Sequence, residues 1–472
     1  KKKIFFLKEK IMNLRTIKLT LSFLAALLIS SVCGTQYLFS AFSTSLAERL
    51  DFSSIEINTI GSAANYGVYL CKPFFGYIVD TYGGRRTTFF ASFVIFIGYF
   101  CLAMTYNGNF SNHSFLMCAL YVFIAGMASS AGLVSSLVTI AKNITSFRGI
   151  AIGAPMALFG LSAAIYSEID SLWFKNDMYH FLLFIATSSG ICMFIGSWFL
   201  VVVPPPINNN YEEEMGGSSS SHITSEVNTV DKSENAPLLN KVNEEIDIGG
   251  WDLFYNRDAK VLATSMFFIS GTGLMYINNV GTIIKSLYFA SHHTIPNSDG
   301  FSTSSHIQEL QNMHVFYLSV FSCLGRLSAG VLSDLAGLLF KIPRLWFFIM
   351  SGVWLFLAQL LILFYVSDLD KLLVVTILVG FGFGNVYAIA PTIVSEWFGI
   401  KRFGLNWGMI ACIPAFGGQL FNLLFGYNND QHQHNHCLGP NCYDSVFYIS
   451  AFACLFSICI SLGLLHVKNR KY

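Results

Sequence analysis

The chain has 472 residues, 54% of them hydrophobic and 12% charged, and its mean hydropathy is +0.55. That balance excludes a water-soluble globule of this length and predicts a membrane protein with many spans. A net charge of +1 gives no basis for nucleic acid as a partner; lipid and a small solute are the expected contacts of a monomer without cofactor or metal.

Crossing a hydrocarbon core takes about 20 apolar residues. Runs of that kind fall at 18–45, 56–79, 87–106, 114–140, 149–169, 178–203, 259–288, 310–333, 344–366, 370–395, 403–427 and 445–466, which predicts twelve spans. The first is too long for a signal-peptide core and is read as retained. Glycine and proline are expected to break the fifth and eleventh most. Most of the eleven cysteines lie inside these runs, where a thiol behaves as a small hydrophobe.

Basic residues set the orientation, because short loops rich in Lys and Arg stay in the cytoplasm. One side carries Lys1, Lys2, Lys3, Lys8, Lys10, Arg15, Lys18, Arg85, Arg86, Lys142, Arg148, Lys341, Arg344, Lys401 and Arg402; the other has only Arg49, Lys175, Lys285 and Lys371. Both termini are therefore expected in the cytoplasm. The sequons at Asn109 and Asn112 fall on the opposite side.

The domain reading is a cytoplasmic segment at 1–17, a six-helix bundle at 18–203, a linker at 204–256, a second six-helix bundle at 257–466 and a tail at 467–472. The linker is rich in Asn, Glu and Ser, buries too little to offset the entropy of ordering, and is expected to be disordered. Within it, Glu234 precedes Leu238 and Leu239 in an acidic dileucine. Such addresses resemble the sorting signals of vacuolar and lysosomal membrane proteins; a chance leucine pair is the alternative. The reading favours the vacuolar membrane over the plasma membrane, with a sorting adaptor as partner. In the last outer loop, Cys437 and Cys442 are expected to close a disulfide in preference to a metal site with His432, His434 and His436.

The chain repeats itself. At one offset of 254 residues, Lys72 falls on Arg326, Gly76 on Gly330, Asp80 on Asp334, Gly126 on Gly380 and Arg148 on Arg402. Three charged pairs in a single register indicate a duplicated helical unit, a common plan of secondary transporters.

Gly76-x-x-x-Asp80 followed by Gly83 and Arg85 resembles the signature loop of the major facilitator superfamily, with Thr81 and Gly84 where basic residues are usual. Narrower likeness lies in Gly34-Thr35-Gln36-Tyr37, Arg148-Gly149 leading to Phe159-Gly160-Leu161-Ser162, Ser395-Glu396-Trp397-Phe398-Gly399 and Phe403-Gly404. These resemble the nodulin-like transporters and the fungal homologues of monocarboxylate transporters, as does Cys437-x-Gly439-x-x-Cys442-Tyr443. The resemblance implies an all-α membrane fold of twelve helices in two pseudo-symmetric bundles working by alternating access, and not an enzyme. It also implies a gating role for Gly76, Asp80, Arg85, Arg86, Gly330 and Asp334, the acids pairing with cations such as Arg85 or Arg86 and with helix N-termini. It does not carry a substrate. Where monocarboxylate transporters have an acid before the arginine, this chain has Ser322.

Lys72 and Arg326 each precede the signature acid by eight residues, about 12 Å along a helix and close to the midplane. A charge there costs at least about 3 kcal/mol and normally faces a cavity or a partner. No acid lies near the middle of any span. The expected ligand is a small organic anion such as a carboxylate, set between the two cations and read by Gln36, Tyr37, Asn278, Asn279, Asn385 and Tyr387. The bland alternative is an Arg326 that bonds backbone carbonyls and a Lys72 that snorkels or stays neutral. Proton coupling has no midplane acid to carry it, and His314 is expected toward the outer side. A sensor that retains the carrier fold is the rival from another class. A channel lacks a charge ring, and an ATP-driven pump lacks a phosphate loop.

Overall fold

A computed structural model describes residues 2–110, 114–174, 177–204, 247–292, 301–433 and 443–469. Glu234, Leu238, Leu239, Cys437, Cys442 and the sequon at Asn112 lie outside them. Every regular element among the described residues is helical. In chain order these are α1 (Lys2–Cys33), α2 (Phe39–Leu50), α3 (Ser54–Leu70), α4 (Lys72–Tyr82), α5 (Gly84–Tyr106), α6 (Phe115–Asn143), α7 (Arg148–Ile169), α8 (Met178–Phe199), α9 (Trp251–Tyr255), α10 (Arg257–His292), α11 (Phe301–Phe340), α12 (Leu345–Phe364), α13 (Leu369–Trp397), α14 (Phe403–Ala411), α15 (Ile413–Gln433) and α16 (Asp444–Asn469).

Eleven stretches of helix are long and apolar enough to cross a membrane alone. The second expected span completes the twelve, but it is divided between α3 and α4. Pro73 causes the division. It has no N–H for the Tyr69 carbonyl and its ring crowds the preceding turn, so the helix is interrupted at Cys71 and restarts at Lys72. Pro414 has the same effect in the eleventh span, which is interrupted at Cys412. The first span changes at Gly34 into a 3₁₀ turn, Thr35–Leu38, before α2. The fifth, expected to be broken, is continuous α7 with Pro155 inside it. The order of breakage is thus first, second and eleventh.

Within the N-terminal half, α3 packs on α6 and α5 on α6 and α8; in the C-terminal half, α11 packs on α13, α10 on α15 and α12 on α16. The halves meet through α4 on α14 and α7 on α11. These crossings lie toward the loops rich in Lys and Arg, called here the basic face. Both are backbone against backbone. A Cβ on Gly404 would stand 2.6 Å from the Gly76 carbonyl oxygen, and one on Gly330 2.6 Å from that of Gly149. Glycine is required at all four positions, because any side chain would force the helices apart.

Toward the opposite face the halves part. Between the far ends of α7 and α11 lies a cavity of about 320 Å³ lined by Tyr37, Ser167, Glu168, Asn312, Phe316 and Tyr317 among others.

The expected linker at 204–256 is structured from Asp247 onward, where Asp247–Gly249 docks on the α13–α14 loop and α9 follows. Hydrogen bonds and ion pairs supply there what composition did not promise.

Gly76→Ala and Gly149→Ala are each expected to destabilise the purified protein by ~1–3 kcal/mol, seen as a lower apparent melting temperature. Gly337→Ala, where an added Cβ meets no atom within 4 Å, should leave it unchanged or slightly raised.

Candidate functional site

Lys72 opens α4 just past the break at Cys71, and Arg326 lies midway along α11. Both side chains are only 2% exposed. They come from opposite halves and are near enough for their charges to repel. Among the described residues neither makes an ion pair with a carboxylate. Aromatic faces substitute in part: Lys72 Nζ stands 4.5 Å from the centre of the Tyr69 ring, and the Arg326 guanidinium 5.9 Å from Phe159 and 6.0 Å from Tyr387.

Arg326 also reaches across the interface. Its Nη1 donates to the Met156 carbonyl of α7, in the space left by Gly160, where a Cβ would collide with the guanidinium. Nε of Arg326 has no hydrogen-bond partner. The absence of a side chain at Gly160 is what admits this guanidinium.

The cavity does not reach the cations. Tyr37, which lines it, is within 3.3 Å of the Tyr69 hydroxyl and edge-on to Phe159 at 5.7 Å. Tyr69 also neighbours Tyr387. These four rings adjoin one another beside the cavity, whose lining includes neither Lys72 nor Arg326, and both cations are occluded.

The remaining sequence candidates divide. Gln36 is buried with both amide atoms unpartnered, as is the Asn385 Oδ1, whereas the Tyr387 hydroxyl lies beside Tyr69 and Ser270. Buried polar atoms usually find a partner, and those that do not call for an explanation. Asn279 is instead bonded to Asn422 of α15 at 2.9 Å and to the Met275 carbonyl, and Asn278 lies on the exposed face of α10. The structure does not bring that pair to the cations, because α10 turns Asn279 onto α15. His314 is buried on Thr376 at 2.6 Å, within the C-terminal half.

The two signature acids each cap a helix of the opposite half. Asp334 accepts from the Gly149 and Ile150 amides at the start of α7, at 3.0 and 2.8 Å. Asp80 accepts from the Leu405 amide at the start of α14, at 2.9 Å. Carboxylates suit helix N-termini, where amides are unpaired and the dipole is positive. Their cations differ from expectation. Asp80 faces Lys142 at 3.5 Å, whereas Arg85 and Arg86 are exposed and Arg85 lies 5.6 Å over Trp198. Asp334 binds Arg344 at 2.6 Å, and Arg344 also holds Glu396 at 2.7 Å. A cation in the next loop is the obvious sequence partner, but the pleat of the α4–α5 turn at Gly83, φ +86°, directs those arginines outward.

Two family models match the chain, Nodulin-like over residues 20–224 and the NFD4 C-terminal domain over residues 244–472. A probable transporter MCH1 of Wickerhamomyces anomalus is 30% identical, covering 84% of this chain and 77% of the relative. Its counterpart in Candida albicans is 26% identical over 92% and 89%. Among solved structures, the proton:xylose symporter XylE superimposes with a TM-score of 0.61 at 13% identity over 94% and 95% of the two chains. The human organic anion transporter MFSD10 gives 0.60 at 12% identity over 95% and 99%. The fold is that of the major facilitator superfamily. The chain belongs to its nodulin-like, MCH1-type branch of multi-pass transporters and is not an enzyme.

Asp334→Asn is expected to cost roughly 3 kcal/mol of stability, because it leaves Arg344 buried beside one partner fewer. Asp80→Asn should cost about 1 kcal/mol, the net worth of one hydrogen bond. Thermal unfolding of both variants in the same detergent gives the order.

Proposed function

We propose that the chain is an alternating-access carrier for a small organic anion, a carboxylate being the class that fits, bound between Lys72 and Arg326. The observation that carries this reading is a pair of buried cations from opposite halves that, among the described residues, have no carboxylate partner. Two desolvated like charges are costly, and an anion between them supplies both counter-charge and hydrogen-bond acceptors. Arg326 offers a planar fork suited to a carboxylate and Lys72 a point charge. The unpartnered atoms of Gln36 and Asn385, with the Tyr387 hydroxyl beside Tyr69 and Ser270, read the rest of the solute. Tyr37 is the door between cavity and pair.

The cycle follows from these contacts. The anion arrives through the cavity, displaces Tyr37 and takes Arg326 from the Met156 carbonyl. That exchange removes one link between the halves, and the basic face opens when Asp80 and Asp334 release α14 and α7. A ligand shifts such an equilibrium only by its differential affinity for the two states. The basic face is assigned to the cytoplasm on its Lys and Arg content, and the vacuolar membrane on the acidic dileucine, with a sorting adaptor as partner. The printed ligands of XylE and MFSD10 belong to those proteins; likeness at 12–13% identity bears on architecture alone.

In proteoliposomes, Lys72→Gln and Arg326→Gln are each expected to lower organic-anion uptake about tenfold or more, as loss of a charge-assisted hydrogen bond predicts. Full uptake by both correctly inserted variants overturns the assignment. A panel of carboxylates scored by thermal shift narrows the solute, since whatever binds the folded state raises its apparent stability.

A further inference from the structure

The two acid caps at the basic face are not equivalent. Asp334 receives two amides and pairs with Arg344 at 2.6 Å, while Asp80 receives the Leu405 amide at 2.9 Å, lies beside the Gly404 amide and faces its lysine only at 3.5 Å. The helix that Asp80 must hold, α14, is nine residues long and interrupted at Cys412. Its N-terminus needs another restraint, and the segment Asp247–Gly249 supplies one.

Ile248 N donates to the Phe398 carbonyl at 3.2 Å, where α13 ends. The Ile248 carbonyl accepts from Asn406 Nδ2 at 2.7 Å, within the first turn of α14. The Gly249 carbonyl accepts from Arg402 Nη1 at 3.4 Å. Asp247 lies between Lys401 at 3.6 Å and Arg402 at 3.8 Å. Gly249 is pressed so closely that a Cβ would stand 2.6 Å from Arg402 Cδ. The segment therefore grips both ends of the α13–α14 loop. Leu405, whose amide Asp80 receives, lies between the gripped residues Arg402 and Asn406. Asn406 is fully buried and Ile248 partly so, so their hydrogen bond is only partly open to water, and burial strengthens it.

We infer that Asp247–Gly249 is a strap that positions the start of α14 for Asp80, with Asp247, Arg402 and Asn406 as positioning residues for the closed basic face. Among the described residues none of them makes a hydrogen bond or ion pair with Asp80 or the central cations; they act through the Leu405 amide. The inference does not depend on which solute is carried. It makes closure of the basic face a property of the last residues before the C-terminal half as well as of the signature loop.

Spin labels at Tyr82→Cys and Phe340→Cys, on the exposed ends of α4 and α11, report the width of the basic face in lipid nanodiscs once accessible native cysteines are replaced by serine. Asn406→Ala is expected to raise the wide-distance population about fivefold, the effect of one net hydrogen bond. Asp247→Lys, which sets a third cation beside Lys401 and Arg402, tests the same point at a partly exposed position and serves where Asn406→Ala does not fold. Adding Lys401→Asp to Asp247→Lys should return the distribution toward the parent. A lowered melting temperature with an unchanged distance distribution, while Asp80→Asn widens it, overturns the inference and leaves the strap as loop packing only.

Discussion

Two positive side chains buried together at mid-bundle, without an acid between them, are the constraint to which the rest of the molecule answers. Each is desolvated and each repels the other, so the arrangement persists only because neighbouring groups offset part of the cost. Tyr69 turns its ring to Lys72, Phe159 and Tyr387 theirs to Arg326, and α7 gives up a carbonyl at Met156. These are weak substitutes for a carboxylate. The break at Cys71 and the bare Cα of Gly160 belong to the same arrangement: one sets Lys72 at the start of α4, the other admits the guanidinium.

A strained centre of this kind requires a firm closure elsewhere, and the basic face provides it with backbone contacts and carboxylate caps. Gly76 on Gly404 and Gly149 on Gly330 bring four helices to the closest approach that peptide groups permit. Asp80 and Asp334 then satisfy amides that the helix starts of the opposite half leave open. Both devices act across the halves and neither resists rotation once parted. Such contacts form or part as a unit and do not deform gradually, which suits the two-state closure that the proposed function requires.

Sequence made legible whatever depended on periodicity and repetition. The spans and the duplicated register of Lys72 with Arg326 and Asp80 with Asp334 follow from spacing and length. Partners across the halves were not legible. Lys142 replaces Arg85 and Arg86 at Asp80 because helix packing, not loop adjacency, sets that distance. Asn279 turns to Asn422 for the same reason. The break in the eleventh span was foreseen; the fifth and second were misjudged because a proline within a membrane helix can be absorbed by its neighbours, as Pro155 is, or can end a helix, as Pro73 does. The docking of Asp247–Gly249 was hidden by composition: three residues held by their carbonyls and one carboxylate leave no hydrophobic signal.

The residues that carry the family likeness collect at the moving parts. Arg148-Gly149 presents amides to Asp334, Glu396 holds Arg344, Phe403-Gly404 begins the helix capped by Asp80, and Phe159-Gly160 makes room for Arg326. What the branch shares in these motifs is therefore how two halves close and how one cation is housed. The buried polar atoms without a partner on Gln36 and Asn385 lie outside those motifs' closing contacts. On the proposed function, exchanging them alters which solute fits without disturbing closure, whereas exchanging the motif residues acts on the contacts between the halves whatever the solute.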